Sequence, residues 1–184
     1  MANLTDEVPI PAADGMNTGK SPCPTNMLIT RYGRPVSRFP ENCTSNRASS
    51  PFWRARFVTE DVGPFRVTGH RLAVGLLRQT LAAVKVENPA LYAELGTAGM
   101  LCIRHVRGHP GVPSNHALGL AIDFTVSGRL DDYGDGMTQA GMLQLYQIMK
   151  RFGWFWGAEF RKEDSMHFEV CSETVMEWVR QGIF

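Results

Sequence analysis

The sequence predicts an α+β fold, in which a small, mainly antiparallel sheet packs with helices. Three observations carry this. Two long stretches repeat apolar residues at helical spacing, several short ones have the alternation or the β-branched and aromatic content of strands, and the two kinds are interleaved. Residues 1–50 stand apart. They are rich in Pro, Ser, Asn and Thr ("SPCPTN", "RYGRPVSRFPENC", "NRASSP") and show no sustained period. They read as an irregular, strand-poor extension that wraps over a globular unit spanning 51–184.

Within that unit, "RARFVTED" and "PFRV" form short strands around the Gly63-Pro64 turn. "HRLAVGLLRQTLAAVKVENP" is a helix, with Ala73, Leu77, Leu81 and Val84 on one face and Asn88-Pro89 ending it. "PALYAELG" is a shorter helix that Gly96 terminates. "MLCIRHV" and "GLAIDFTV" are strands. "TQAGMLQLYQIMKRFG" is a helix with Thr138 as N-cap, an apolar face of Met142, Tyr146, Met149 and Phe152, and Gly153 closing it. "GWFWG" and "MHFEV" are strands, and "SETVMEWVRQGIF" is a last helix capped by Ser172.

Bulk properties narrow the function. A chain of 184 residues buries one sizeable core. Nineteen basic residues against eighteen acidic ones leave a net charge of +1, which argues against nucleic acid as a partner. No apolar run reaches the roughly 18 residues of a membrane span. The start "MANLTDEVPIPAADG" has no basic segment followed by an apolar one, so it does not read as a secretory signal. Cys23, Cys43, Cys102 and Cys171 form no CxxC pair. Free buried thiols and one or two disulfides stand level, and three full pairings are open.

The chemistry concentrates in "SNHALGLAIDF" (114–124) and "EDSMHFEV" (163–170). Fully extended, the seven residues from His116 to Asp123 span roughly 23 Å, so the chain must bend for both to reach one ion. Gly119 offers the position for the bend. Beyond it, "LAIDFTV" runs as a strand with Ala121, Asp123 and Thr125 on one face. A carboxylate interrupting an apolar strand needs a strong partner, and a metal ion supplies one. On the later strand His167 and Glu169 share a face. Cys171 has the same parity but lies about 13 Å from His167 along the strand, too far to share the ion. His116, Asp123 and His167 thus make three protein ligands with a fourth position open, the pattern of a catalytic zinc.

A hydrolase also needs a base beside the activated water and a donor for the developing oxyanion. Asp164, just before His167, is the candidate base, with Glu163 and Glu169 as rivals. Arg104, on the strand-like "LCIRHV", is the candidate donor and reads almost as well as a surface residue. Glu169 fits better as the partner that orients a ligand imidazole. Ser114 either binds substrate or holds its loop. Trp154 and Trp156 alternate on one face, so that one of them, Trp156, lines a substrate groove and the other joins the core.

The pattern S-x-H-x-x-G-x-A-x-D, filled by Ser114, His116, Gly119, Ala121 and Asp123, resembles the zinc peptidoglycan peptidases. That family includes VanX- and VanY-type D-alanyl-D-alanine peptidases and phage L-alanyl-D-glutamate endolysins, and shares its fold with the Hedgehog signalling domain. The resemblance runs from about Phe65 to Glu169. It implies one zinc held by His116, Asp123 and His167, Asp164 as base, and Arg104 as the family's upstream arginine. "GWFWGAEFRKEDSMHF" is closer to the endolysin branch than to the ExWH element of the VanX and VanY type, with Ala158 where that branch has a second glycine. The resemblance therefore implies cleavage of the peptidoglycan stem peptide, at L-Ala–D-Glu ahead of D-Ala–D-Ala. The setting is the bacterial periplasm or wall, reached by holin-type lysis or through a secretion apparatus, in the latter case with a cognate immunity protein. A non-catalytic, zinc-stabilised binding module is the rival from another class. It predicts loss of Asp164 or Arg104, and both are present.

Overall fold

The computed structural model describes residues 3–12, 15–43, 46–106 and 108–184. In chain order the elements are β1 (Glu7–Pro9), α1 (Thr25–Tyr32), α2 (Pro51–Arg54), β2 (Phe57–Asp61), β3 (Arg66–His70), α3 (Arg71–Glu87), α4 (Pro89–Glu94), β4 (Leu95–Gly99), β5 (His105–Val106) and β6 (His109–Pro113). They continue with β7 (Ala121–Val126), β8 (Met137–Gln139), α5 (Ala140–Arg151), β9 (Trp154–Trp156), β10 (His167–Val170) and α6 (Ser172–Arg180). Short 3-10 turns occupy Asn115–Leu118 and Gly157–Glu159.

The fold is α+β. Its centre is a four-stranded antiparallel sheet in the order β4-β7-β10-β9. Ladders β2–β3, β5–β6 and β1–β8 surround it. The inner face of α3 (Ala73, Leu77, Leu81, Val84) is fully buried, as its period requires. Met142, Tyr146 and Met149 of α5 are buried too, against Trp156, Phe168 and their neighbours in the same core. No helix among the described residues is long and apolar enough to cross a membrane.

Four local expectations are corrected. The strand beside β7 is Leu95–Gly99, not "MLCIRHV". Gly96 does not end a helix but admits this pairing, since a Cβ there would lie 2.5 Å from Thr125 Oγ1. Of "MLCIRHV" only His105–Val106 is strand, and Arg104 sits on the bend before it. Thr138 is not the cap of α5. The β1–β8 ladder runs through Gln139, which takes the cap position. The carbonyls of Asp6 and Leu4 then accept from the N–H groups of Ala140 and Gly141, doing the work of a side-chain cap. Ser172 likewise is the first residue of α6, after Cys171, and its N–H donates to Ser21 O.

The early segment therefore makes specific bonds rather than lying loosely over the rest. Residues 25–32 form α1, where no sustained period was readable, with Leu28 fully buried. Cys43 and Cys102 form a disulfide, and Cys23 and Cys171 are free and buried.

Candidate metal centre

Two local devices bring His116 and Asp123 together. Ser114 precedes the 3-10 turn Asn115–Leu118, and its Oγ accepts from the His116 N–H at 3.3 Å. Gly119 ends the turn at φ +64, and a Cβ there would lie 2.5 Å from the His70 backbone nitrogen. Both the dihedral and the close approach call for glycine. The chain then enters β7, where Asp123 and Thr125 are half-buried while Ile122 and Phe124 are fully buried. β10 pairs with β7 so that His167 stands directly opposite Asp123.

The three side chains converge. His116 Nε2 lies 3.1 Å from His167 Nδ1 and 3.2 Å from Asp123 Oδ1, and His167 Nδ1 lies 3.1 Å from Asp123 Oδ1. The outward nitrogens reveal what the inward ones carry. His116 Nδ1 is 2.9 Å from the Met100 carbonyl, which can only accept, so Nδ1 bears the hydrogen. His167 Nε2 is 3.0 Å from Glu169 Oε2, again an acceptor, so it bears the hydrogen there. Both inward nitrogens are left as lone pairs facing each other and a carboxylate oxygen.

Three lone pairs at such distances repel unless a cation sits among them. A proton on His167 Nδ1 is one remedy. Burial opposes that charge, but hydrogen bonds and negative charge from Asp123 and Glu169 prevail and raise His167 to about 10. Burial also raises Asp123, yet the charges and hydrogen bonds of His116 and His167 outweigh it and hold its carboxyl well below the usual range. A metal ion is the other remedy, and it satisfies all three atoms at once. A tetrahedral zinc with bonds of about 2.0–2.1 Å sets its ligand atoms about 3.3 Å apart, close to the spacing found. The residues fit the ion. Among the described residues they are also the group of His, Cys, Asp and Glu whose ligand atoms lie within reach of one ion.

The triad opens into a cleft of about 490 Å³ whose walls include Arg104, Ser114, Asp164, Tyr133, Phe160 and Glu169. Asp164 is half-buried. The 3-10 turn Gly157–Glu159 shapes its approach, since Asp164 N–H donates to Gly157 O and Asp164 O accepts from His167 N–H. Its rival Glu163 is turned away, accepting from the Asp135 N–H at 2.7 Å. Its other rival, Glu169, is fully buried and accepts from His167, the Cys23 N–H and Asn115. Arg104 reaches the cleft from its bend, with Nη1 donating to its neighbour's carbonyl at 2.9 Å.

Trp156 is not on the cleft. It is fully buried, stacked on Tyr146 and Phe168, with its indole N–H on Ser165 O. β9 is the edge strand beside β10, and both tryptophans are covered there, Trp156 by Tyr146 of α5 and Trp154 by α3, whose Thr80 Oγ1 accepts from its indole N–H at 3.1 Å. The aromatic walls are instead Tyr133 and Phe160, which sequence reading missed because both lie in loops without periodicity. Asn115 was missed too, although it sits inside the "SNH" motif. Cys23 and Thr25 carry no local signal at all, being joined to the centre only through the fold.

A family model described as D-alanyl-D-alanine carboxypeptidase matches residues 107–170. That is about a third of the chain, and it takes in Ser114, His116, Asp123, Asp164, His167 and Glu169 but not Arg104. The match supports a zinc peptidase of that family. No curated protein is significantly similar to the chain.

Proposed function

We propose that the chain is a zinc-dependent hydrolase of the peptide stems of bacterial peptidoglycan, cutting between L-Ala and D-Glu. The carrying observation is the convergence of three lone pairs, from His116, Asp123 and His167, at the floor of a cleft that also holds Asp164 and Arg104. When bound there, zinc polarises a carbonyl and lowers the pKa of water towards neutrality. Asp164 takes the proton of the attacking water and returns it to the leaving amine. Arg104 donates to the oxyanion that develops on the attacked carbonyl. Ser114 holds the loop of His116, and Glu169 holds the ring of His167. Tyr133 and Phe160, on the walls of the cleft, flank the peptide.

Removal of a terminal D-Ala is the second reading, favoured by the description of the matching family. The order of the "GWFWG…DSMHF" elements supports the first. For the biological setting we propose action at the wall as an endolysin or as a delivered effector countered by an immunity protein. The Cys43–Cys102 disulfide suits an oxidising destination.

Digestion of purified peptidoglycan by zinc-loaded protein, followed by mass spectrometry, tests this. A new amine on D-Glu is expected. Loss of terminal D-Ala would shift the reading to the carboxypeptidase, and no release from several wall types would sink both.

A further inference from the structure

The sequence stretch "SPCPTN" (21–26) has no part in the function so far, yet it ends at the metal centre. Pro22 and Pro24 fix φ on either side of Cys23 and bias Ser21 and Cys23 towards extended conformations, giving a stiff strap. Both ends of the strap are tied down. Ser21 N–H donates to Glu173 Oε2 at 2.9 Å and Ser21 O accepts from Ser172 N–H at 2.9 Å. Thr25 Oγ1 hydrogen-bonds Asn115 Oδ1 at the other end. Between them, the Cys23 N–H donates to Glu169 Oε1 at 2.7 Å.

Glu169 is wholly buried, and a carboxylate there is tolerated only with strong donors around it. It has three. Oε1 takes the Cys23 N–H, while Oε2 takes Asn115 Nδ2 and His167 Nε2. Asn115 in turn is oriented by Thr25, because an amide whose oxygen accepts from a hydroxyl must present its NH₂ to Glu169. The relay thus sets the Glu169 carboxylate, which sets the His167 tautomer, which aims Nδ1 at the ion.

We propose that Thr25 and the Cys23 backbone, acting through Asn115 and Glu169, are positioning groups of the metal centre, so that the Ser21–Thr25 strap is a working part of the site although it lies about 80 residues upstream of the matched segment 107–170. This rests on the zinc reading above but not on the identity of the bond cut.

The test is zinc affinity of the full chain, measured by competition with a chromophoric chelator in the absence of substrate. Thr25→Val keeps the shape and removes the hydroxyl, and is expected to weaken zinc about three- to tenfold. Asn115→Ala removes the donor to Glu169 and is expected to weaken it about ten- to hundredfold. Thr25→Ser restores native affinity within about twofold, and Asn26→Ala, an exposed neighbour outside the relay, changes nothing. Melting temperatures of the metal-free variants accompany each value, so that a general loss of stability is read separately. Native-like zinc affinity in both Thr25→Val and Asn115→Ala overturns the proposal, as does a Thr25→Ser value as weak as Thr25→Val. If Asn115→Ala does not fold, the Val and Ser pair at Thr25 decides. Protein that holds zinc through this relay but cuts no wall peptide would defeat the proposed reaction and leave the relay standing.

Discussion

Glu169→Gln removes the charge and one of the two acceptor oxygens that face the buried donors, while keeping the volume of a fully buried side chain. Native Glu169 offers acceptors to three donors, the Cys23 N–H, Asn115 Nδ2 and His167 Nε2. Glutamine has one oxygen and one NH₂. If its oxygen faces Cys23, the NH₂ confronts both Asn115 and the His167 N–H. If it flips, the NH₂ confronts the Cys23 N–H. Either way at least one buried donor loses its acceptor, at about 1–3 kcal/mol. The second route to the number is the loss of an outer partner of a metal-bound imidazole, typically 10–100-fold in metal affinity, or about 1.4–2.7 kcal/mol. The two routes agree. Competition with a chromophoric chelator should therefore find zinc held 10- to 100-fold more weakly in Glu169→Gln, and hydrolysis should recover when zinc is raised to saturation. Native affinity in a folded Glu169→Gln would refute the tautomer argument and with it the lone-pair account of the centre.

Four more outcomes follow from the same geometry. His116→Ala should purify without stoichiometric zinc by atomic absorption and without activity, and a full zinc complement would sink the ligand assignment. Asp164→Asn should keep zinc yet lose turnover of wall fragments, which separates proton transfer from metal binding. Arg104→Gln should keep zinc and lower kcat by about 10²–10³, the usual loss for one oxyanion donor, and an unchanged kcat would remove Arg104 from the reaction. Asp131, nearly buried where it accepts from the Gln139 N–H and the Ser165 hydroxyl, is raised to about 7 by burial and by Glu7, Asp135 and Asp132, against the pull of the Gln139 bond. An unfolded aspartate titrates near 3.9, so the folded chain binds this proton more tightly and loses stability as pH rises from about 4 to about 7. Asn at 131 can serve both partners without charge. Melts of Asp131→Asn should lack that decline, and a decline equal to the native one would remove Asp131 as its source.

The trio of His116, Asp123 and His167 was legible because its signals are local. Strand parity places Asp123 on one face of β7 and pairs His167 with Glu169 on one face of β10, and a glycine between His116 and Asp123 marks the bend. The helices α3 and α5 were legible for the same reason, through period alone. Arg104 was read as a strand residue because "MLCIRHV" has the apolar content of a strand. The neighbouring "LGTAG", with two glycines and little to bury, took the place beside β7 because its backbone can approach Thr125 closely. Trp156 was given a groove because parity says which residues share a face but not what covers that face, and Tyr146 of α5 stacks on Trp156.

By itself the sequence determined the α+β class, the two main helices, and His116, Asp123 and His167 as candidate ligands with Asp164 close to the last of them. Those depend on periods of 2 and 3.6 and on spacings of a few residues, which the chain carries wherever it folds. Only the tertiary structure decided that His167 stands opposite Asp123, that Cys43 pairs with Cys102, and that Cys23 and Thr25 reach Glu169 and Asn115. The Cys23 bond joins residues 146 positions apart. No local pattern encodes such a meeting, because it depends on how strands pair and which segment covers a buried carboxylate once the core has closed.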